Sequence, residues 1–326
     1  MSIMGTRPAP CQESIQSAML GSLHRNVVGL AQLSPIRSAI TNSKVTKPLV
    51  DKFVAGDSAA DAVRLTLALQ EKRIHVALDL LGEDVETEAE ATRAADEYQE
   101  VIDLAHAQGV DSPYISVKLT ALGLSLGEGV ATRNLRRILS HAGGAFVRVD
   151  MESSRHTEST VNVVLDLHQE FPELGTVLQS CLFRTDRDIE TMIDAGVPIR
   201  LVKGAYVEPA EVAYQSKAEV VRAYRRQMAR MISSELPLAI ATHDENLIAT
   251  AKKHIRESKR NNDTVEFQLL LGLREDLRDA LVEEGYHMRV YIPFGSQWYP
   301  YLVRRLAERP ANLALVARNI LPRRGR

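Results

Sequence analysis

IHVALDLLG (residues 74–82) is a short apolar run that contains β-branched residues and ends in a glycine. Seven runs of the same kind follow along the chain, and segments with helical periodicity separate them. The eight runs are IHVALDLLG (74–82), YISVKL (114–119), AFVRVDM (145–151), GTVLQS (175–180), PIRLVKG (198–204), PLAIATH (237–243), VEFQLLLG (265–272) and MRVYIPFG (288–295). Near-continuous apolar strands that alternate with helices are typical of a parallel sheet covered by helices. Eight such units over about 220 residues predict a (β/α)8 barrel.

A doubly wound open sheet would also alternate strands with helices, so it is the main structural alternative. The fairly even spacing of eight units favours the closed barrel. Helical segments precede the first run, and we expect residues 1–55 to form an N-terminal helical extension outside the barrel. Residues 56–326 are then predicted to form the barrel domain.

Composition and charge narrow the class of protein. The 326 residues carry 40 Lys and Arg against 42 Asp and Glu, which gives a net charge of −2 and argues against a nucleic-acid-binding surface. Two cysteines, Cys11 and Cys181, cannot build a disulfide framework, which favours a reducing compartment. No apolar run approaches the roughly 20 residues of a membrane-spanning helix, and the N-terminus lacks a secretory pattern. We expect a soluble, cytoplasmic protein, and peripheral contact with a membrane stays open.

Polar side chains fall at or just after the ends of the apolar runs. They are Asp79, Glu83, Lys118, Asp150, Gln179, Arg200, Lys203, Thr242, His243, Gln268 and Tyr291. Barrel enzymes bind their ligands at the carboxyl ends of the strands, so the whole set predicts a polar ligand-binding mouth. For any single residue, a structural ion pair inside the barrel is an equally good interpretation.

A doubled arginine marks the segment YLVRRLAERPAN, residues 301–312. Tyr301, Arg304, Arg305 and Glu308 follow helical spacing and therefore lie on one stripe of a helix. Two guanidinium groups that converge on one site suit a carboxylate or a phosphate. A solvated charged face is the alternative, but the position directly after the last strand favours anion binding.

Other catalytic patterns are weaker. GLSLG (123–127) matches a hydrolase nucleophile elbow, but its serine trails the preceding apolar run by several residues. His243 and Asp150 lack the accompanying histidines of a metal site, so no metal is predicted, and no Rossmann or P-loop pattern is present. The main chemical alternative is a Schiff-base enzyme, because Lys118 or Lys203 could attack a carbonyl if its pKa were lowered. A catalytically inactive barrel that binds a small anion is the other.

Seven segments together resemble the bacterial monofunctional proline dehydrogenase family. They are LDLLGE (78–83), YISVKLTAL (114–122), RVDMES (148–153), RLVKGAY (200–206), ATHDENLI (241–248), EFQLLLGL (266–273) and GSQWYPYLVRRLAERPANL (295–313). The resemblance implies a distorted (β/α)8 barrel that holds FAD non-covalently and oxidises L-proline to Δ1-pyrroline-5-carboxylate. It also implies re-oxidation of the flavin by a membrane quinone, transient association with the inner membrane, and a link to a downstream pyrroline-5-carboxylate dehydrogenase.

The resemblance also implies roles for individual residues. Arg304 and Arg305 would hold the proline carboxylate, and Glu83 would pair with one of them when the site closes. The other residues implied for the proline pocket are Tyr206, Tyr291, Tyr301, Leu270, Lys118 and Asp150. The residues implied for FAD are Arg200, Gln179, Lys203, Gly204, Ala205, Thr242, His243 and Glu308, with Arg200 near the flavin N5. Hydroxyproline is a minor alternative substrate.

Overall fold

Eight parallel strands close into a barrel in the computed structural model, which describes residues 47–110 and 112–307. The strands are β1 (His75–Leu80), β2 (Tyr114–Val117), β3 (Phe146–Val149), β4 (Leu174–Gln179), β5 (Ile199–Val202), β6 (Leu238–Ala241), β7 (Val265–Leu270) and β8 (His287–Phe294). Each strand pairs with its neighbours in chain order, and β8 closes the ring by pairing with β1. The predicted (β/α)8 barrel is therefore confirmed, and the open sheet is wrong.

A helix follows every strand. The described helices are α1 (Lys47–Phe53), α2 (Ala59–Gln70), α3 (Glu88–Ala107), α4 (Glu128–His141), α5 (Ser154–His168), α6 (Thr185–Ala195), α7 (Lys217–Ile232), α8 (Glu245–Ser258), α9 (Glu275–Glu283) and α10 (Trp298–Ala307). Three of them begin with a capping box, in which a hydroxyl and an acid three residues later exchange hydrogen bonds with the backbone. The pairs are Ser58–Asp61, Thr87–Glu90 and Ser216–Glu219. Of the predicted N-terminal extension, residues 1–46 lie outside the described part of the chain.

The outward face of the sheet is apolar. Successive side chains of a strand point to opposite faces, and the pairing register shows which residues share a face around the ring. The outward set includes Leu78, Ile115, Val147, Leu178, Leu201, Ile240, Phe267 and Ile292, each at most 2% exposed. These residues belong to the main hydrophobic core, together with the inner faces of the helices. The core therefore lies between the sheet and the helices.

The inward face of the sheet is polar, whereas Val, Ile and Leu usually fill the centre of such a barrel. The register places on it Asp79, Ser116, Arg148, Arg200, Glu266, Gln268, Arg289 and Tyr291. Charges inside a barrel must be paired or solvated. The inward residues form two hydrogen-bonded layers, one near the amino ends of the strands and one near their carboxyl ends.

The layer near the amino ends of the strands is a hydrogen-bonded network that contains the ion pair of Arg289 and Glu266. Arg289 Nε donates to Glu266 Oε2 at 3.0 Å, and Arg148 donates to the Tyr114 hydroxyl at 2.7 Å and to the carbonyl of Pro198 at 2.7 Å. Both guanidinium groups lie over the ring of Tyr114. The distance to the ring centroid is 4.0 Å for Arg289 and 5.6 Å for Arg148. Both guanidinium groups of this layer have hydrogen-bond partners within the barrel, so the layer supports the fold.

Candidate active site

Asp150 organises the layer at the carboxyl ends of the strands. It follows β3, and its two carboxylate oxygens accept from Arg200 Nη1 at 2.7 Å and from the Tyr291 hydroxyl at 2.6 Å. Arg200 also donates from Nη2 to Ser116 Oγ at 3.1 Å. Burial raises the pKa of Tyr291, and the charge of Asp150 acts in the same direction, so the phenol stays a donor. The carboxylate after β3 thus binds residues of β5 and β8 directly, and Arg200 extends the network to Ser116 of β2.

Arg200 is the best-buried cation of this layer, at 4% exposure. Burial alone would lower its pKa, but Tyr114, Asp150 and Tyr291 outweigh burial, and the pKa lies above its ordinary value. Its Nε has no hydrogen-bond partner among the residues that the structure describes. A buried donor without a partner is costly, so this atom marks a place where a ligand acceptor would fit.

Lys118 forms a buried ion pair with Asp79 across β1 and β2. Burial alone would lower the pKa of Lys118, but the carboxylates of Asp79 and Asp150 outweigh it and hold the pKa above its ordinary value. A Schiff-base lysine must lose its proton to attack a carbonyl. The geometry of Lys118 therefore disfavours the Schiff-base alternative and makes this residue a fixed cation of the mouth.

The segment after β5 carries another cationic side chain, that of Lys203. Lys203 Nζ donates to Asp244 Oδ2 at 2.8 Å, and Asp244 in turn caps α8 by accepting from Asn246 and Leu247. Burial alone would raise the pKa of Asp244, but Lys203 and the helix amides outweigh it and lower the pKa. Lys203 is thereby held by a carboxylate whose own position the helix fixes.

Gly204 follows Lys203 with φ of +112°, a conformation that L side chains rarely adopt. A Cβ at this position would also collide with the Cys181 sulfur, because the backbone here passes directly over the end of β4. Gly204 and Ala205 are both exposed. The chain therefore presents bare backbone beside Lys203, as close approach to a ligand requires.

The other predicted residues of the mouth have separate contacts. Gln179 Nε2 donates to the carbonyl of Glu152 at 2.9 Å, and Thr242 Oγ1 accepts from the Asp244 amide at 3.2 Å. His243 Nε2 lies 3.1 Å from the amide nitrogen of Leu270, so in this arrangement it is the acceptor and Nδ1 carries the proton. The structure thus links β6 to the predicted pocket residue Leu270. Glu83 and Tyr206 are half-buried, in the segments after β1 and β5.

The doubled arginine falls on α10, as the helical spacing predicts. Within this helix, the guanidinium of Arg305 lies 5.4 Å from the ring centroid of Tyr301. Glu308 and the side chain of Arg304 lie outside the described part of the chain. The carboxylate clamp therefore stays a prediction.

Three residues of the mouth were missed by the sequence analysis. Ser116 lies two residues before Lys118 and so shares its face, a signal that strand alternation could have supplied. Asp244 stands directly before an apolar-periodic segment, which is an N-cap signature. Glu152 is buried and accepts two hydrogen bonds from Thr120, a contact that no local pattern indicates. Within residues 47–110 and 112–307, no cluster of His, Cys, Asp or Glu could hold a metal ion.

Comparison with known proteins gives one consistent family. The family described as proline dehydrogenase matches residues 62–318 of the chain. The chain is 38% identical over 310 residues to a proline dehydrogenase of Deinococcus radiodurans, which covers 93% of this chain and 99% of that protein. It is 39% identical over 272 residues to proline dehydrogenase 1 of Bacillus subtilis strain 168, covering 83% of this chain and 90% of that protein.

A solved structure supports the fold. Proline utilization A from Bdellovibrio bacteriovorus superposes with a TM-score of 0.78 at 21% identity, over 95% of this chain and 39% of that one. The family match and the two relatives cover most of the sequence and agree with each other. The chain therefore belongs to the proline dehydrogenase family and is an oxidoreductase.

Proposed function

We propose that this chain oxidises L-proline to Δ1-pyrroline-5-carboxylate, the first step of proline catabolism, with FAD as its cofactor. The observation that carries the proposal is the buried guanidinium of Arg200, held by Asp150 and Ser116 at the barrel mouth with its Nε left for a ligand. Family membership supports the reaction, and the charge of this mouth supports a flavin.

The groups of the mouth fit a flavin dinucleotide. Arg200 and Lys203 are cations fixed by carboxylates, and cations near N5 and the pyrimidine side stabilise the reduced, anionic ring. The other proposed cofactor-side residues are Gln179, Gly204, Ala205, Thr242, His243 and Glu308. When bound, FAD would accept the hydride at N5.

The proposed substrate site uses the doubled arginine. Arg304 and Arg305 bind the proline carboxylate through paired, charge-assisted hydrogen bonds, and Glu83 pairs with one of them when the site closes. The remaining pocket residues are Tyr206, Tyr291, Tyr301, Leu270, Lys118 and Asp150. Because the proline carboxylate is held at two points, the orientation of the proline ring is fixed. The ring carbon is then already oriented for the reaction when proline binds.

The reaction needs the neutral amine of proline, because the nitrogen lone pair forms the new C=N bond while the adjacent ring carbon releases its hydrogen with the bonding electrons. A protonated lysine in the pocket disfavours a second positive charge beside it. Lys118, which Asp79 keeps protonated, therefore favours loss of the amine proton before oxidation. The phenol of Tyr291 keeps its proton and donates it in a hydrogen bond to Asp150, so the ring forms a fixed wall of the pocket.

The cellular setting belongs to the same proposal. Electrons pass to a membrane quinone at the inner membrane face, with which a cytoplasmic protein associates transiently, and a pyrroline-5-carboxylate dehydrogenase takes up the product. In the part of the chain that the structure describes, every helix is too short or too polar to span a bilayer. We also propose that residues 1–55 are an extension to a catalytic domain of residues 56–326.

A steady-state assay tests the proposal. Protein supplied with FAD and a soluble quinone should form Δ1-pyrroline-5-carboxylate from proline, with tetrahydrofuran-2-carboxylate as a competitive inhibitor. Hydroxyproline should react with a lower kcat/KM, and a higher value would reassign the substrate. Absence of turnover with both, or a lysine trapped by borohydride with a carbonyl substrate, would contradict the proposal.

A further inference from the structure

Glu152 is a buried carboxylate at the barrel mouth to which the proposed function gives no task. It lies just beyond β3 at 5% exposure, and both of its oxygens accept from one residue. The Thr120 amide donates to Oε1 at 3.0 Å, and the Thr120 hydroxyl donates to Oε2 at 2.5 Å. Burial raises the pKa of Glu152, while these hydrogen bonds and the charge of Lys118 oppose the rise.

Thr120, which Glu152 holds in place, is in turn hydrogen-bonded to the segment after β1. Its hydroxyl accepts from the Asp84 amide at 3.2 Å, and its carbonyl accepts from the Val85 amide at 3.4 Å. Asp84 has φ of +54°, which is uncommon for a residue other than glycine and persists only where neighbouring contacts fix it. The residue directly before it is Glu83, the proposed partner of the carboxylate clamp.

The backbone of Glu152 contacts the end of the neighbouring strand, β4. Its carbonyl accepts from Gln179 Nε2 at 2.9 Å, and Gln179 belongs to the proposed cofactor side. The carbonyl of Gln179 accepts in turn from the Thr185 hydroxyl at 2.5 Å, at the start of α6. Glu152 is therefore linked through Thr120 to the segment that carries Glu83, and it is bonded directly to the side-chain amide of Gln179.

We infer that Glu152 is a positioning residue: its carboxylate fixes Thr120, and Thr120 fixes the segment from which Glu83 closes on the substrate. This inference rests on the proposed function, because that function gives Glu83 its task. A merely structural carboxylate would lower the stability of the whole protein when replaced. A positioning carboxylate changes local order at Asp84 and Val85 and changes the KM for proline.

Hydrogen exchange of the protein without added cofactor tests the first step. Thr120→Val keeps the shape of the side chain but removes both hydrogen bonds of the hydroxyl, whereas Thr120→Ser keeps them. We expect exchange in a peptide spanning residues 82–87 to rise about tenfold in Thr120→Val and to stay parental in Thr120→Ser. Thr66→Val is the matched control, because it removes a buried hydroxyl that donates only within α2. Parental exchange in Thr120→Val would overturn the inference.

Kinetics with FAD test the second step. Thr120→Val and Glu152→Gln should raise the KM for proline about fivefold to tenfold, as the loss of about one hydrogen bond implies, and should change kcat less. Thr120→Ser should restore the parental KM, and this pair keeps the test decisive if Glu152→Gln does not fold. An active parent with an unchanged KM in Thr120→Val would overturn this inference alone. An inactive parent would instead overturn the proposed function, whatever the exchange result.

Discussion

Removing the ammonium of Lys118 should destabilise the barrel strongly and in a pH-dependent way. Lys118→Met keeps a side chain of similar length but leaves Asp79, at 1% exposure, without its cation and near Asp150. A carboxyl in that position takes up a proton in the folded state. Starting from an ordinary pKa of 3.8, this protonation costs at most about 4 kcal/mol relative to the parent at pH 7, because burial raises the pKa of Asp79 even beside Lys118. That figure lies within the range of about 3–5 kcal/mol for breaking a buried ion pair.

The sign of the pH dependence follows from proton binding. In the variant, folded Asp79 holds a proton that the unfolded chain has released at pH 7, so acid relieves the destabilisation. The deficit relative to the parent should fall to about 1 kcal/mol near pH 4.5. Urea unfolding of both proteins at both pH values measures it.

Two further variants make the measurement specific. Arg230→Met removes one partner of an exposed ion pair, Arg230–Glu190, and should cost at most about 1 kcal/mol at either pH. Asp79→Asn added to Lys118→Met removes the uncompensated carboxylate and should recover most of the loss at pH 7. A Lys118→Met deficit no larger than that of Arg230→Met, or one that is equal at both pH values, would show that Asp79 does not depend on Lys118 for its charge.

Three variants and one labelling reaction probe the mouth further. Arg304→Met and Arg305→Met should each raise the KM for proline by about 10- to 100-fold in steady-state assays, because each removes charge-assisted hydrogen bonds to a carboxylate. Unchanged kinetics in both variants would contradict the proposed binding of the proline carboxylate by these two arginines. Gly204→Ala should weaken FAD binding at least tenfold by fluorescence titration, since its Cβ meets the Cys181 sulfur at φ of +112°. Equal affinity would show that this backbone does not approach the cofactor. Burial and the charge of Glu208 raise the pKa of the Cys181 thiol to about 11, so it should react with an aromatic disulfide reagent at neutral pH much more slowly than in urea. Equally fast labelling in both would contradict that burial.

The strands of the barrel were predictable because the outward face of each strand is buried against the helices and leaves a simple apolar signal. Every apolar run overlaps one strand, and the differences lie at the ends: β4 begins at Leu174 and β8 at His287, each one residue before its run. The run 74–82, for example, extends past β1, which ends at Leu80. Apolar residues continue beyond the last ladder hydrogen bond, because the chain stays buried as it leaves the sheet. Hydrophobicity therefore locates a strand better than it locates the end of one.

The site was predictable as a set but not as a network. Lys118, Asp150 and Arg200 could be placed at one mouth because the carboxyl ends of parallel strands meet there. That Lys118 pairs with Asp79 while Arg200 pairs with Asp150 depends on the register around the ring, which sequence alone does not give. Long-range contacts are harder still.

Glu152 and Thr120 illustrate that difficulty. They lie 32 residues apart and follow different strands, yet they share two hydrogen bonds. No periodicity or spacing relates a threonine after β2 to a glutamate after β3. Only the closed ring brings the two segments together.

The anaerobic reaction of the FAD-loaded protein with proline is the decisive measurement of proline oxidation by this chain. We expect a protein that binds FAD and loses the visible absorbance of the oxidised flavin when proline is added, with one equivalent of Δ1-pyrroline-5-carboxylate formed per flavin reduced. A protein that binds no FAD, or a bound flavin whose absorbance proline leaves unchanged, would contradict it.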